Sequence, residues 1–151
     1  MRTSLTPPEH GSRASRHRKV GDALASAGEE WAFVCFFYGA YHLVKAALLC
    51  DPVFDDPIRL AKSPVPLRPD DRFVSRHRGR RRPGVEVEWG VNDLVATIYR
   101  FIREDYELLH QLSIEVRYGA CRSLPPLAVG SAALDRIEQR FAAGNLKVTN
   151  F

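Results

Sequence analysis

Apolar residues dominate positions 31–50, WAFVCFFYGAYHLVKAALLC, and the few polar ones among them fall on a single line. Tyr38, Tyr41, His42 and Lys45 follow i, i+3, i+4, i+7 spacing. The stretch therefore predicts a central helix, apolar over most of its surface, with one polar stripe. It is nearly long enough to cross hydrocarbon, but His42 and Lys45 lie where an unpaired charge in lipid is costly. A helix inside a soluble fold accommodates that stripe better than lipid does. Asp51-Pro52 ends it. Upstream, GDALASAGEEWAF begins a helical region near Asp22, with Gly28 as a break and Glu29 and Glu30 suited to a first turn by the helix dipole.

The second periodic region runs from Trp89 to Gly119. Leu94, Ile98, Ile102, Leu109, Leu112 and Val116 keep helical spacing, which predicts one long helix, or two with a bend near Arg103 and Glu104. Asn92 is placed as its N-cap and Gly119 as its stop. Pro125 and Pro126 close the region, and a shorter helix is expected from Ser131 to Gly144. Another short one fits residues 56–62. Residues 63–84, rich in proline and arginine, read as a long exposed loop. Only GVEVEWG, residues 84–90, alternates with period two. The class expected is all-α, with two long antiparallel helices and two or three short ones.

With 151 residues, the chain has room for one domain and a tail. Charge changes the picture more than length does. Residues 1–20 carry Arg2, Arg13, Arg16, Arg18 and Lys19 against Glu9 alone, and residues 72–82 carry six arginines and no acid. These segments hold +4 and +6, so against the overall +4 the rest of the chain is net −6. Basicity concentrated this way favours anionic partners. Pro7, Pro8 and Gly11 argue against an early amphipathic helix, so residues 1–20 are expected to be a disordered basic arm preceding a domain at 21–151. No apolar core of a secretory signal is present at the N-terminus. Cys35, Cys50 and Cys121 lack metal-ligand or CxxC spacing and read as reduced thiols of a cytoplasmic protein.

Candidate chemistry lies on a second polar stripe. In REDYELLHQLSIEVRYG, residues 103–119, Arg103, Tyr106, His110, Ser113 and Arg117 recur every three or four positions, opposite Ile102, Leu109, Leu112 and Val116. If the two long helices are neighbours, both stripes face one groove. A neutral imidazole there accepts the proton of an RNA 2′-hydroxyl or delivers one to the leaving oxygen, while guanidinium groups hold phosphate. No metal or other cofactor is required, and the nearby acids form no ligand cluster. Simpler readings also stand: Arg103 and Glu107 as an i, i+4 pair, His110 as a structural histidine, and RHRGRRR as a nonspecific anion-binding loop.

FFYGAYHLVKAALL and YELLHQLSIEVRYG together resemble the two signature helices of HEPN-domain proteins. Tyr38, Ala40, His42 and Ala46 fit the first pattern loosely, and Tyr106, Leu109, Ser113, Arg117 and Tyr118 fit the second in order. The resemblance covers about residues 22–144. It implies a four- or five-helix up-and-down bundle that dimerises, and, in many members, metal-independent endoribonuclease activity in toxin–antitoxin or antiphage systems. In such members an Arg-x(4–6)-His motif is catalytic. Arg103 and His110, with six residues between them, have that form, although Glu104 stands where Asn, Asp or His is usual.

On this reading His110 is the general acid/base and Arg103 the phosphate clamp. Arg117, Tyr106, Tyr118, His42 and Ser113 shape the groove, and Arg76, Arg78, Arg80, Arg81 and Arg82 hold the RNA backbone. The partners expected are RNA or a nucleotide, a second copy of the chain, and an antitoxin-type protein, with no membrane. The alternative is a non-catalytic helical module whose polar stripe binds a nucleotide or protein partner.

Overall fold

A computed structural model describes residues 4–119 and 123–151. Cys121 and Arg2 lie outside the described residues. Within those bounds the chain is all-helical, with six α-helices: α1 Pro7–Ser26, α2 Ala32–Cys50, α3 Pro57–Ala61, α4 Val91–Ile98, α5 Arg103–Tyr118 and α6 Leu127–Ala142. Three short 3-10 turns, Pro52–Asp55, Pro69–Phe73 and Arg100–Ile102, join them. The alternating stretch supplies one isolated antiparallel bridge, between Arg80 and Glu88, and the described residues contain no strand.

The expected disordered arm is instead α1. Pro7 and Pro8 occupy the first turn, where a helix has no intrahelical N–H bond to lose, so they start the helix rather than prevent it. Thr6 and Glu9 form a reciprocal capping box: Glu9 N–H donates to Thr6 Oγ1 at 3.3 Å and Thr6 N–H to Glu9 Oε2 at 2.8 Å. His10, Ala14 and Gly21 then turn inward. Gly21 admits the Phe36 ring, which would lie 2.7 Å from an added Cβ. Arg18 ties the helix to α6 through Asp135 at 2.7 Å and Glu138 at 2.6 Å. Tertiary docking carries α1, which is only weakly amphipathic by composition.

Helix α2 is the axis of the fold, and α1, α5 and α6 all pack on it. It is long and apolar enough to cross a membrane by composition, yet fourteen of its nineteen residues are buried inside the protein. Phe33, Phe36, Phe37, Val44 and Leu48 have no accessible surface, each burial stabilising by about 2 kcal/mol. Of the two alternatives for the second region the structure has the bend, as the Arg100–Ile102 turn, after which α5 starts at Arg103 and ends at Tyr118 with Gly119 as its cap. Gly90, not Asn92, caps α4; Asp93 Oδ2 accepts from Gly90 N–H at 2.8 Å and frees the Asn92 side chain. Helix α6 begins at Leu127, one turn before expected, directly behind Pro126.

The 63–84 segment is irregular apart from its 3-10 turn, but it is strapped to the helices. Arg72 closes the open end of α2 by donating to the carbonyls of Leu49 at 2.9 Å and Asp51 at 3.0 Å, and pairs with Asp55 at 2.8 Å. Val74 is buried against the core.

Candidate functional site

The chain has five histidines, and the fold brings all five to one seam. Helix α1 contributes His10 and His17, two turns apart on its inner side. From α2 come Phe37, Tyr38, Tyr41, His42 and Lys45, the stripe predicted from spacing. His77 and Arg78 arrive on the irregular segment, Asn92 on α4, and Tyr106, His110, Ser113 and Arg117 on α5.

Several bonds fix the segment over α2. Lys45 donates to the carbonyl of Val74, and Tyr41 O–H donates to that of Ser75 at 2.9 Å. Val91 N–H then reaches Arg76 O at 2.8 Å and Asn92 N–H reaches His77 O at 2.9 Å. The crossing at residues 77–79 and 90 is so close that a Cβ on Gly90 would fall 2.5 Å from His77 O. Glycine is required there by contact distance alone.

The rings form a continuous layer. His10 Nδ1 lies 2.9 Å from His42 Nδ1, so one of the two imidazoles donates. His17 stacks parallel to His42 at 5.5 Å. Tyr41 stands between His42, at 5.3 Å, and His77, at 5.2 Å. His77 lies 5.0 Å from His110, which stacks on Phe37 at 4.7 Å. Asn92 Nδ2 lies 2.8 Å from His110 Nδ1. Tyr38 faces both ends, 5.8 Å from His17 and 6.0 Å below the Arg117 guanidinium.

Electrostatics set this seam apart. Burial holds His42 and His110 down to about 4; the other imidazoles and neighbouring cations add to the effect, His10 and His17 first for His42, His77 and Arg78 first for His110. His10, His17 and His77 are also lowered, again chiefly by burial. Burial lowers Lys45 to about 8. At neutral pH the layer is one of uncharged imidazoles beside fixed cations.

Those cations lack counter-ions. Among the described residues Arg18, Arg68, Arg72, Arg76, Arg103 and Arg136 each pair with a carboxylate. Arg13, Arg16, Arg78 and Arg117, which act electrostatically on the seam histidines, are not in that set. Among the described residues Arg117 makes long bonds, to Ser113 O and Tyr38 Oη, both at 3.4 Å. Among the described residues the buried side-chain polar atoms left without a partner are His77 Nδ1, Asn92 Oδ1, Tyr106 Oη and Ser113 Oγ, every one of them here. Native folds satisfy most buried polar groups, so four such atoms within one seam set it apart from the rest of the described core.

The residues singled out from sequence divide. His42, Tyr106, His110, Ser113 and Arg117 meet on the seam, with Tyr118 outside it, exposed beneath the Arg117 guanidinium at 5.6 Å. Arg103 turns outward to Glu107 at 3.2 Å, whereas His110 is only 3% exposed and points inward. Arg103 lines an open groove of about 690 Å³ with Arg78, Asn92, Asp93 and Gln111, and the Asn92 amide stands between that groove and His110.

In the arginine run only Arg78 acts on the seam. Arg76 pairs with Glu88 at 2.7 Å, Arg80 makes the backbone bridge, Arg81 lies over Trp89 at 6.0 Å, and Arg82 is exposed. Sequence reasoning missed His10, His17, His77 and Asn92. The seven-residue spacing of His10 and His17 was a signal once α1 is taken as a helix; nothing local marked His77.

No group of three or more His, Cys, Asp or Glu side chains among the described residues is arranged to hold a metal ion. Compared with known proteins, the chain matches no family model, no curated protein and no solved structure.

Proposed function

We propose that the chain is a HEPN-like, RNA-directed protein whose imidazole seam binds a phosphodiester and cleaves it without metal. The observation that carries this reading is the convergence of all five histidines with four guanidinium groups that have no carboxylate partner. The two helices bearing the HEPN-like motifs, α2 and α5, pack on each other, which supports the up-and-down bundle that the resemblance implies. Dimerisation, an antitoxin-type partner and a cytoplasmic setting belong to the same proposal.

Arg117 and Arg78 would take the phosphate, ahead of Arg103, which is already paired. With the Asn92 amide turned so that its Oδ1 accepts from His110 Nδ1–H, His110 Nε2 accepts the 2′-hydroxyl proton as that oxygen attacks phosphorus. His77 delivers a proton to the departing 5′-oxygen. The products are a 2′,3′-cyclic phosphate and a 5′-hydroxyl. The bound phosphate itself raises the depressed imidazoles toward neutrality, so the protonated acid forms when substrate is present.

Incubation of end-labelled RNA in EDTA tests this. Cleavage by the wild type should fall by about 10²–10⁴ in His77→Ala and His110→Ala. Unchanged cleavage in both variants, or none by folded wild type, overturns it. The burial of His110 favours a second reading, a non-catalytic module that holds a nucleotide or protein partner at the same cations. That reading expects binding without turnover.

A further inference from the structure

We infer that α1 is part of the binding face, and that the seam is a track for a single-stranded nucleic acid spanning more than one phosphate. The inference rests on the RNA-directed reading above and specifies its substrate as a strand instead of a mononucleotide.

Two groups of uncompensated cations flank one aromatic hub. At the α1 end, Arg13 and Arg16 are exposed beside the half-buried His17. At the other end are Arg117 and Arg78, beside His77 and His110. Tyr38 joins them: its ring is 5.8 Å from His17, 6.2 Å from His77 and 6.0 Å from the Arg117 guanidinium carbon. His17, on the α1 side, and His77 with the Arg117 guanidinium, on the other, thus lie about one ring's width from Tyr38. That suits successive phosphates of one strand with a base against the tyrosine, since aromatic faces accept any base.

The carboxylates near the α1 end are engaged elsewhere. Glu9, the acid that acts on His10, is engaged in the Thr6 capping box. Asp22, Asp135 and Glu138 are drawn to Arg18 and leave Arg13 and Arg16 uncancelled. The same helix therefore neutralises the arginine that faces α6 and leaves unpaired those beside His17. A lone phosphate needs only one cationic end; two ends bridged by an aromatic ring fit a polymer.

Binding is measured by fluorescence anisotropy over a range of salt, with a uridine dinucleotide and a uridine dodecanucleotide as probes. Wild type, Arg13→Gln, Arg16→Gln and Arg117→Gln are compared, with folding checked by circular dichroism. On the inference, Arg13→Gln and Arg16→Gln each weaken the dodecanucleotide several-fold. Each also lowers the slope of log affinity against log salt by about 0.7, while the dinucleotide is unaffected. If the dodecanucleotide binds and only Arg117→Gln weakens it, the track is overturned while the phosphate site stands. If neither probe binds folded wild type, both readings fall. If polyglutamate binds as tightly as RNA with the same dependence on Arg13 and Arg16, the partner is an acidic protein and the strand assignment is overturned.

Discussion

His42 and His110 show how a single side chain changes character with its surroundings. Each is under one-tenth exposed, bonded through Nδ1 to one neighbour, and set among cations and other imidazoles. A histidine in the unfolded chain titrates near 6.5, whereas these two titrate near 4 in the fold. Between those values the unfolded chain binds more protons than the folded one, so acid favours unfolding. Stability should be full above about pH 6.5 and decline as pH falls toward 4, by a few kcal/mol for the two together. Urea midpoints across that range measure it. The acid limb should flatten in the His42→Gln, His110→Gln double variant, and an undiminished slope there would assign the titration to other groups.

Among the elements, α2 and α6 meet through a missing side chain. A Cβ at Gly130 would stand 2.7 Å from Phe33 Cδ1 and 3.1 Å from Phe36 Cδ2, and both rings are fully buried. Gly130→Ala gains about 1 kcal/mol of helix propensity but loses more to overpacking, for a net destabilisation of about 1–2 kcal/mol. Gly11 on α1 has nothing within 4 Å of the same built atom, so Gly11→Ala should stabilise by about 0.5–1 kcal/mol. Thermal unfolding of the pair distinguishes close packing from propensity; equal shifts of one sign would refute the contact argument. Helix α1 therefore tolerates a better helix former on its open side, consistent with its being a packed element.

At the scale of the whole molecule one carboxylate joins three distant parts of the chain. Asp51, 2% exposed, caps the start of the Pro52–Asp55 turn behind α2 by accepting from Val53 N–H at 3.0 Å. Its other oxygen accepts from Tyr99 O–H, beyond α4, and from Val148 N–H in the C-terminal segment, both at 2.9 Å. Arg59 holds the same segment through the carbonyls of Val148 and Phe151. Asp51→Ala strands three buried donors and should cost on the order of 3 kcal/mol in chemical denaturation. Asp51→Asn, which keeps one carbonyl oxygen, should cost less. Equal losses in the two variants would mean that the hydrogen bonds to Tyr99 and Val148 are not what is lost.

Side-chain periodicity is a local property, and whatever depended on it alone was legible from the sequence. The helical class, the stripe Tyr38–Lys45, the stripe Tyr106–Arg117 and the stops at Asp51, Gly119 and Gly144 follow from local pattern within one or two turns, whereas spacing left open one long helix or two with a bend near Arg103. Helix α1 was misread because its proline pair was weighed as a breaker and its support comes from α2 and α6. Which histidines meet was decided by the tertiary structure. His10 finds His42 across 32 positions, and His77 reaches His110 only because the 74–79 segment folds back over α2. Exposure divided the Arg103–His110 pair in the same way, pairing one outward and burying the other. Burial, counter-ions and pKa are sums over neighbours in space, and the spacing of residues along one helix does not contain them.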